Sequence, residues 1–376
     1  MRQFRINEFC DLLFGHIMYY AYKYLMRLKF IFRDISETGL IRNRVLLEAS
    51  TICQLRCPSC STGKGERKTG IIGTGYLKFE DFKRFIDKNP NIKSIELSHL
   101  GEIFLNPDLK EIIEYASRKK IYLTAYAGVN LNDVSREMLE FLVKSRFAGM
   151  TVSLDGATNE TYRVYRIGGN FDRVIENIGI LNDYKKKYNS RFPHLIWQFV
   201  IMGHNEHQLP LAKRMAKELS MSFETKLSWD PGFSPVRNKE FVRKESGLGV
   251  ASWEEFKEKY GYDRRRVLCK QFWTPQINWD GKLLGCCVNE WVDFGNVFEQ
   301  GLSGCLKSEK YVYGKKVLLG KEKARADIPC SRCPVYDDIP QNPLKKKEIL
   351  DPGRALSASD YLWFIFSSLC KLNKRS

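Results

Sequence analysis

The sequence lacks several features that would assign it to other classes of protein. It has no internal repeat of fixed period and no low-complexity tract, and its N-terminus carries no secretory signal with a small-residue cleavage site. We therefore expect the chain to stay in the reducing cytoplasm, where disulfides are rare. Its eleven cysteines among 376 residues then point to metal ligation rather than to a disulfide framework.

Acidic residues are scarce relative to basic ones. The 44 Asp and Glu residues against 61 Lys and Arg residues give a net charge of +17, which favours an anionic partner such as a phosphorylated ligand, nucleic acid or a membrane surface. Charge alone does not choose among these partners. Because hydrophobic residues make up 43% of the chain, a sizeable core is available, and the length fits one large domain and a smaller one.

The most informative motif is a run of three cysteines that follows the apolar stretch 45–47. Cys53, Cys57 and Cys60 form a C-x3-C-x2-C pattern. Three thiolates so close together can surround one soft metal centre, and a four-iron cubane cluster suits them. With three ligands from the loop, one iron stays open for a small molecule. The alternatives are a zinc site, which normally takes four protein ligands, and a disulfide framework, which suits short secreted chains.

Short apolar runs alternate with amphipathic segments from residue 44 to about residue 230. An alternation of strands and helices implies a parallel sheet with crossover helices. Residues 231–265 are rich in Pro, Gly and charge and are predicted to be a linker, and residues 266–340 form a second module. The periodicity predicts strands at 45–49, 94–98, 121–125, 149–154, 195–201 and 223–228, and helices at 79–88, 108–119, 136–144, 171–187 and 209–219.

Both ends of the chain, residues 1–43 and 341–376, contain apolar and basic segments. The apolar run near the C-terminus is too short to span a bilayer, which needs about 20 apolar residues. Two alternatives remain for these ends: a peripheral contact with the inner face of the membrane, or packing onto the main domain.

The second module carries an independent set of cysteines. Asp280-Gly281 lies between apolar runs and predicts a hairpin turn, which places Cys286 after the returning strand. Four thiolates can enclose a cluster completely, and a zinc ribbon is the alternative. The candidate ligands are Cys269, Cys286, Cys330 and Cys333, with the adjacent Cys287 as a substitute for Cys286.

The cysteine run resembles the signature of the radical S-adenosylmethionine (SAM) enzymes. Leu100-Gly101-Glu102-Ile103 is similar to the family's Gly-Gly-Glu-Pro motif, although its first Gly is replaced by Leu100 and its Pro by Ile103. The resemblance implies an α/β fold, a partial (β/α)6 barrel with a small C-terminal module, and an active site at the carboxyl ends of the strands. It also implies that the open iron binds the amino and carboxylate groups of SAM.

Further residues are assigned to SAM by the same resemblance. Gly101 and Glu102 would hold the SAM amino group, and Arg166 would reach the SAM carboxylate, for which a guanidinium is suited. The remaining candidates line the nucleoside or the substrate: Thr124 and Asn130 at the end of the third strand, and Ser153 and Asp155 at the end of the fourth.

The second module resembles the twitch module, a shortened SPASM module that binds one auxiliary 4Fe–4S cluster. The family's D-G-x4-C spacing favours Cys286 over Cys287 as the ligand. In related radical epimerases a free cysteine donates a hydrogen atom to the substrate radical. Cys305 is the candidate for that role here, and inert packing is the alternative.

The resemblance implies cofactors and a reaction. Two 4Fe–4S clusters and SAM are expected, with a reductant such as flavodoxin or ferredoxin. Reductive cleavage of SAM would yield a 5′-deoxyadenosyl radical that abstracts a substrate hydrogen atom, and a closed auxiliary cluster would favour net oxidation, with epimerisation also open. We expect an oxidoreductase acting on a sugar, a polyol-type or a lipid-linked small molecule.

Two alternatives to this reading stay open. Peptide-modifying members often carry an added N-terminal recognition domain, for which residues 1–43 seem too short, so a SPASM-type maturase of a ribosomally made peptide is the first alternative. A zinc-containing nucleic-acid-binding protein is the alternative from another class. Nucleic acid is not the expected partner, because Lys and Arg are spread over every helix rather than clustered with exposed aromatic residues.

Overall fold

The computed structural model of the protein describes residues 43–350. The predictions for the two ends of the chain fall almost entirely outside these residues. Within the described part, no helix is both long enough and apolar enough to cross a bilayer.

A parallel sheet organises the described chain. Its strands follow the order β6-β5-β4-β3-β2-β1-β7, and each neighbouring pair is parallel. The six predicted strands are confirmed, with β3 running four residues further than expected, and a short seventh strand from the second module extends the sheet beside β1. The strands are β1 Arg44–Leu47, β2 Ser94–Glu96, β3 Tyr122–Val129, β4 Gly149–Ser153, β5 His194–Ile201, β6 Ser222–Leu227 and β7 Gln276–Ile277.

The five predicted helices are confirmed to within one residue at each end. A further helix, α5, was not predicted; Thr158 caps it by accepting a hydrogen bond from the backbone N–H of Thr161. The predicted linker contains two short helices, α8 and α9. The helices are α1 Ser61–Lys64, α2 Phe79–Lys88, α3 Leu109–Arg118, α4 Arg136–Lys144, α5 Asn159–Tyr165, α6 Phe171–Lys187, α7 Leu209–Glu218, α8 Lys239–Glu245, α9 Trp253–Tyr260, α10 Leu302–Lys307, α11 Glu309–Leu318 and α12 Lys346–Leu350.

The two faces of the sheet differ in chemistry. Trp197 of β5 is fully buried against Phe171 of α6, so this face packs on the helices. Since side chains alternate along a strand, Gln198 points to the opposite face, where its register partner is Ser153. This second face is polar although it is buried. Its members include Glu96, Ser98, Thr124, Thr151, Ser153 and Gln198.

The second module begins with the predicted hairpin. Gly281 has a φ of 89° and donates its N–H to the carbonyl of Asn278 at 3.0 Å, and Ile277 and Leu283 form an antiparallel bridge. The turn predicted at Asp280-Gly281 is therefore confirmed. Because β7 belongs to this hairpin and pairs with β1, the second module is joined directly to the edge of the parallel sheet.

Glu48 lies at this junction. One carboxylate oxygen accepts a hydrogen bond from the N–H of His99 at 3.3 Å, and the other accepts one from Nε2 of Gln276 at 3.3 Å. Burial raises the pKa of Glu48 from 4.5 to about 8, although backbone N–H groups at residues 99–101 and the charge of Arg67 oppose that rise. The folded protein therefore favours the protonated form of this carboxyl group.

Replacing Trp197 tests the packing of the helix-facing side of the sheet. Trp197→Ala removes a fully buried indole whose Nε1–H donates to the carbonyl of Leu154 at 2.9 Å, and we expect it to lower the free energy of unfolding by about 3–5 kcal/mol. Chemical denaturation followed by circular dichroism measures the change. Trp229→Ala is the control, because Trp229 is 53% exposed, and an equal loss in both variants would contradict the assignment.

Glu48 makes stability depend on pH. Because the pKa of Glu48 is raised in the folded state, its contribution to stability is complete below pH 4.5 and is lost as the pH rises through about 8. The variant Glu48→Gln cannot ionise, so its melting temperature should rise relative to that of the wild type between pH 5 and about pH 9. Thermal melts across this range measure the difference, and two curves that stay parallel would refute the raised pKa.

Candidate functional site

The first cysteine loop lies at the carboxyl end of β1, where parallel α/β folds place their chemistry. Helix α1 follows Cys60 directly and packs on the loop. A Cβ atom on Gly63 would lie 2.8 Å from the backbone nitrogen of Cys57 and 2.9 Å from its oxygen, so this position has room only for glycine. The close contact fixes the path of the chain between the second and third cysteines.

The thiols of this loop are neighbours in a desolvated site. Cys57 is buried, and Cys53 and Cys60 are half-buried. Burial, with smaller contributions from the charges of Glu102, Cys57 and Cys60, raises the pKa of Cys53 to about 12. Burial also raises the pKa of Cys57, against the opposing charge of Arg166. Thiolates in such a site need a bound cation, which an iron cluster supplies.

The Gly101-Glu102 loop is in direct contact with the cysteine loop. The N–H of Glu102 donates to the carbonyl of Ile52 at 2.8 Å. A Cβ atom on Gly101 would come within 2.5–2.8 Å of backbone atoms of Ser50 and Ile52, so glycine is required there. The partial sequence motif therefore corresponds to a close approach of two backbones.

The carboxylate of Glu102 faces the start of the loop after β3. It accepts a hydrogen bond from the backbone N–H of Asn130 at 2.6 Å, and burial raises its pKa to about 7 against the hydrogen bonds from Asn130 and Phe104. The side chain of Asn130 donates to Gln54 at 3.1 Å and to the sulfur of Cys53 at 3.8 Å. Gln54 was missed by the sequence analysis, since a glutamine inside a cysteine motif carries no signal of its own.

Thr124 lies elsewhere than predicted. Strand β3 continues to Val129, so Thr124 is in the interior of the strand and Asn130 alone follows its end. The hydroxyl of Thr124 donates to Oε2 of Glu96 at 2.6 Å. The prediction that Thr124 ends the third strand is wrong, because the strand extends through Ala127 and Gly128, residues that predict strands poorly.

Asp155 and Arg166 form an ion pair beside the first cysteine loop. Nε and Nη2 of Arg166 lie 2.7 and 2.6 Å from Oδ2 of Asp155, and Nη1 donates to the sulfur of Cys57 at 3.7 Å. Burial lowers the pKa of Arg166, but Asp155 and Cys57 outweigh it and hold the pKa well above its usual value. The structure thus brings this cation to the cysteines, and Oδ1 of Asp155 accepts the N–H of Val200 at 2.8 Å.

Ser153 lies at the end of β4, next to the backbone of β3. Gly128 has a φ of 136°, and a Cβ atom there would lie 2.8 Å from the hydroxyl of Ser153. Ser153 is 6% exposed and is on the polar face of the sheet. Its predicted contact with a nucleoside or substrate is compatible with this placement and stays a prediction.

Four cysteines of the second module come together. Burial, and then the charges of Cys286, Cys330 and Cys333, raise the pKa of Cys269 well above its usual value. The pKa of Cys330 is likewise raised by burial, with Cys286 and Cys333 as its charged neighbours. These cysteines approach one another from the segment before β7, the hairpin and the final C-x2-C pair.

The adjacent cysteines 286 and 287 have different surroundings. Burial raises the pKa of Cys286 to about 11, and Cys333 adds to the rise. The N–H of Cys287 donates to Oε1 of Gln271 at 2.7 Å, and the charge of Arg67 acts on its thiol. The charge of Cys286 acts on Cys269 and Cys330, whereas the charge of Cys287 acts on Cys269 and its own thiol is influenced by Arg67. The choice of Cys286 over Cys287 as the ligand stays a prediction.

The spacing of the thiols within each cysteine set limits the kind of metal centre that the set can bind. Among the described residues, no three His, Cys, Asp or Glu side chains are grouped closely enough for one shared metal ion. A zinc ion draws its sulfur ligands to about 2.3 Å, whereas a four-iron cluster is larger and is reached by thiolates that stand further apart. The free thiols of both sets, of which Cys57 and Cys330 are buried and the others half-buried, are compatible with such clusters.

Cys305 belongs to the second module. It lies on α10, is 2% exposed, and its thiol donates to Oε1 of Gln300 at 3.4 Å. Its sulfur also lies beside Gly295. These neighbours are those of a packed thiol, and the hydrogen-donor role stays a prediction.

Alanine substitutions at Cys286 and Cys287 test the ligand assignment. We expect anaerobically purified wild-type protein to hold about eight irons and Cys286→Ala to hold about four, because one cubane loses a ligand. Cys287→Ala should retain about eight. Iron analysis and absorption near 400 nm measure both. The opposite pattern, with iron lost only from the Cys287 variant, would show that Cys287 is the ligand.

Two protein-family profiles match the chain. The Radical SAM superfamily profile matches residues 47–208, and the SPASM profile, described as an iron-sulfur cluster-binding domain, matches residues 269–334. Together these segments cover more than half of the chain. They contain the two cysteine sets.

Curated relatives resemble about a third of the chain. Mycofactocin maturase MftC of Mycobacterium tuberculosis is 26% identical over 136 residues, which is 35% of this chain and 33% of that protein. PqqA peptide cyclase of Rhodopseudomonas palustris is 28% identical over 137 residues, 36% and 34% of the two chains. The alignments thus span about one third of the length of these relatives.

A solved structure has the same fold over most of the chain. SuiB of Streptococcus suis bound to S-adenosylmethionine superposes with a TM-score of 0.57 at 15% identity, covering 86% of this chain and 77% of SuiB. At this identity the likeness concerns the fold. On the two profile matches, the chain belongs to the radical SAM superfamily and carries a SPASM domain, and these two domains imply S-adenosylmethionine and two iron–sulfur clusters as cofactors.

Proposed function

We propose that this radical SAM enzyme modifies a peptide. The observation that carries the proposal is the nature of the curated relatives, a mycofactocin maturase and a PqqA peptide cyclase. This favours the alternative of the sequence analysis over its main expectation of a sugar or lipid-linked substrate. The alignments span only a third of each relative, so the substrate is assigned here by similarity and by the chemistry of the barrel interior.

We assign the residues near the first cysteine loop to cofactor binding. When bound, the first cluster and SAM supply a carbon radical able to remove a hydrogen atom from the substrate, after reduction by a donor such as flavodoxin or ferredoxin. Cys53, Cys57 and Cys60 hold the cluster, and Glu102 accepts the SAM amino group. Arg166 places a positive charge beside Cys57, where its guanidinium would be available to pair with the carboxylate of bound SAM.

The polar face of the sheet supplies groups for the substrate. Among the described residues, the hydroxyl oxygen of Thr151 and the side-chain oxygen of Gln198 are buried without a hydrogen-bond partner. A buried acceptor without a donor costs about 1–3 kcal/mol, and a ligand that donates to it recovers this cost. The amide N–H groups of a peptide are donors of this kind, so we assign Gln198 to the binding of a peptide amide.

A small polyhydroxylated molecule is the second candidate substrate. The same polar face favours it, because sugar hydroxyls also donate to Thr151 and Gln198. Both candidate substrates would donate a hydrogen bond to Thr151 or Gln198. These contacts therefore do not distinguish a peptide from a sugar. Because the radical SAM profile matches the chain, we do not propose the function of a zinc-containing nucleic-acid-binding protein.

The second site favours an oxidative outcome. Cys269, Cys286, Cys330 and Cys333 provide four thiolates, which leave no ligand position open for a substrate. We therefore assign electron transfer to this site, and removal of a hydrogen atom followed by loss of an electron and a proton oxidises the substrate. A cross-link or a double bond within the peptide is the expected product class.

Deuterium transfer distinguishes the two substrates. The full chain, reconstituted anaerobically with SAM and a chemical reductant, is incubated with a library of synthetic perdeuterated peptides and, separately, with deuterated sugars. We expect deuterium in 5′-deoxyadenosine and loss of two hydrogen atoms from one peptide, both measured by mass spectrometry. The control is the variant with Cys53, Cys57 and Cys60 replaced by Ala. Deuterium transfer from the sugars and from none of the peptides would contradict the peptide proposal and favour the small polyhydroxylated substrate.

A further inference from the structure

Arg67 lies between the two cysteine sets. It belongs to the short 3-10 helix Glu66–Lys68 that follows α1, and its side chain is 15% exposed. Nε of Arg67 donates to Oε1 of Glu290 at 2.9 Å, and Nη2 contacts the same oxygen. Glu290 follows Cys287 by three residues, so this ion pair ties the first cysteine loop to the second.

The same guanidinium is connected to the SAM-binding loop. Nη1 of Arg67 donates to the hydroxyl of Thr62 at 2.8 Å, and that hydroxyl donates to the carbonyl of Leu100 at 2.5 Å. Leu100 directly precedes Gly101 and Glu102. One cation thus contacts the helix after Cys60 and, through one hydroxyl, the loop assigned to the SAM amino group.

An apolar contact accompanies this series of hydrogen bonds between the two modules. Leu100, Ile72 and Leu284 form a buried cluster, and Leu284 stands two residues before Cys286. Leu100 occupies the position where the family motif has its first glycine. The departure from the motif therefore has a physical role in this chain, because a glycine there would leave no side chain to meet the second module.

His99 completes the junction. Its ring is hydrogen-bonded to the backbone of Cys287, and burial together with the charge of Arg67 lowers its pKa to about 4, so the ring is neutral at physiological pH. The backbone N–H of His99 donates to Glu48. The segment 99–102 is thus held by the second module on one side and by the cysteine loop on the other.

We propose that Arg67 is a positioning residue that couples the SAM-binding loop at Gly101-Glu102 to the second cluster site through Glu290, Thr62 and Leu100. Each end of the coupled unit holds a cofactor, so occupancy of one site changes the affinity or the spectrum of the other. The coupling concerns cofactors that belong to the family and does not depend on the identity of the substrate.

The test compares Arg67→Gln with Arg67→Lys, which keeps a cation able to donate to Glu290 and to Thr62. SAM affinity is measured by anaerobic equilibrium dialysis, and the electron paramagnetic resonance signal of the reduced second cluster is recorded with and without SAM. We expect SAM to alter this signal in the wild type. Arg67→Gln should abolish the response and weaken SAM binding about tenfold, the effect of one lost charged hydrogen bond. Arg67→Lys should retain most of both.

Controls separate coupling from loss of fold. Arg84→Gln removes an arginine that is 64% exposed and ion-paired on α2, and it should leave both measurements unchanged. Iron content confirms that every variant holds both clusters, and if Arg67→Gln fails to load iron, Glu290→Gln takes its place. A SAM affinity and a SAM response in this loaded neutral variant equal to those of the wild type would overturn the proposal, as would an Arg67→Lys variant no better than Arg67→Gln.

Discussion

Desolvation of the cysteine thiols is the constraint on which the rest of the structure depends. Burial raises the pKa of Cys53, Cys57, Cys269, Cys286 and Cys330. Deprotonation of these thiols is therefore unfavourable unless a cation binds beside them. Bound iron compensates by supplying positive charge. The fold around the first set of thiols is built from close backbone contacts at Gly63 and Gly101.

Those close contacts link the site to the sheet. Gly63 and Gly101 permit two backbones to approach the cysteine loop from opposite sides, and neither position tolerates a Cβ atom. The carboxyl ends of β1 to β5 then direct Glu102, Asn130, Asp155 and Ser153 toward the same region. On the other edge of the sheet, β7 brings the hairpin of the second module against β1, and the two cysteine sets become parts of one packed unit.

The sequence analysis predicted six of the seven strands and the five helices between them because their apolar periods are strong and local. It failed at Thr124, where β3 continues through a segment with weak strand propensity, and at α5, a helix of only two turns. Gln54, Arg67 and Glu290 were not among the candidates. Each is an ordinary polar residue in a basic chain, and its significance comes from partners that are distant in the sequence, 223 residues in the case of Arg67 and Glu290.

The sequence by itself determined the metal chemistry, because C-x3-C-x2-C and C-x2-C spacings bring thiols together whatever the surrounding fold. It also determined the alternation that produces a parallel sheet. Only the tertiary structure decided the different surroundings of the adjacent Cys286 and Cys287, the partner of Arg67, and the contact of Leu100 with Leu284. The physical reason is that spacing and periodicity act between neighbours along the chain, whereas side-chain direction and long-range pairing are set by packing between elements that meet only in the folded protein.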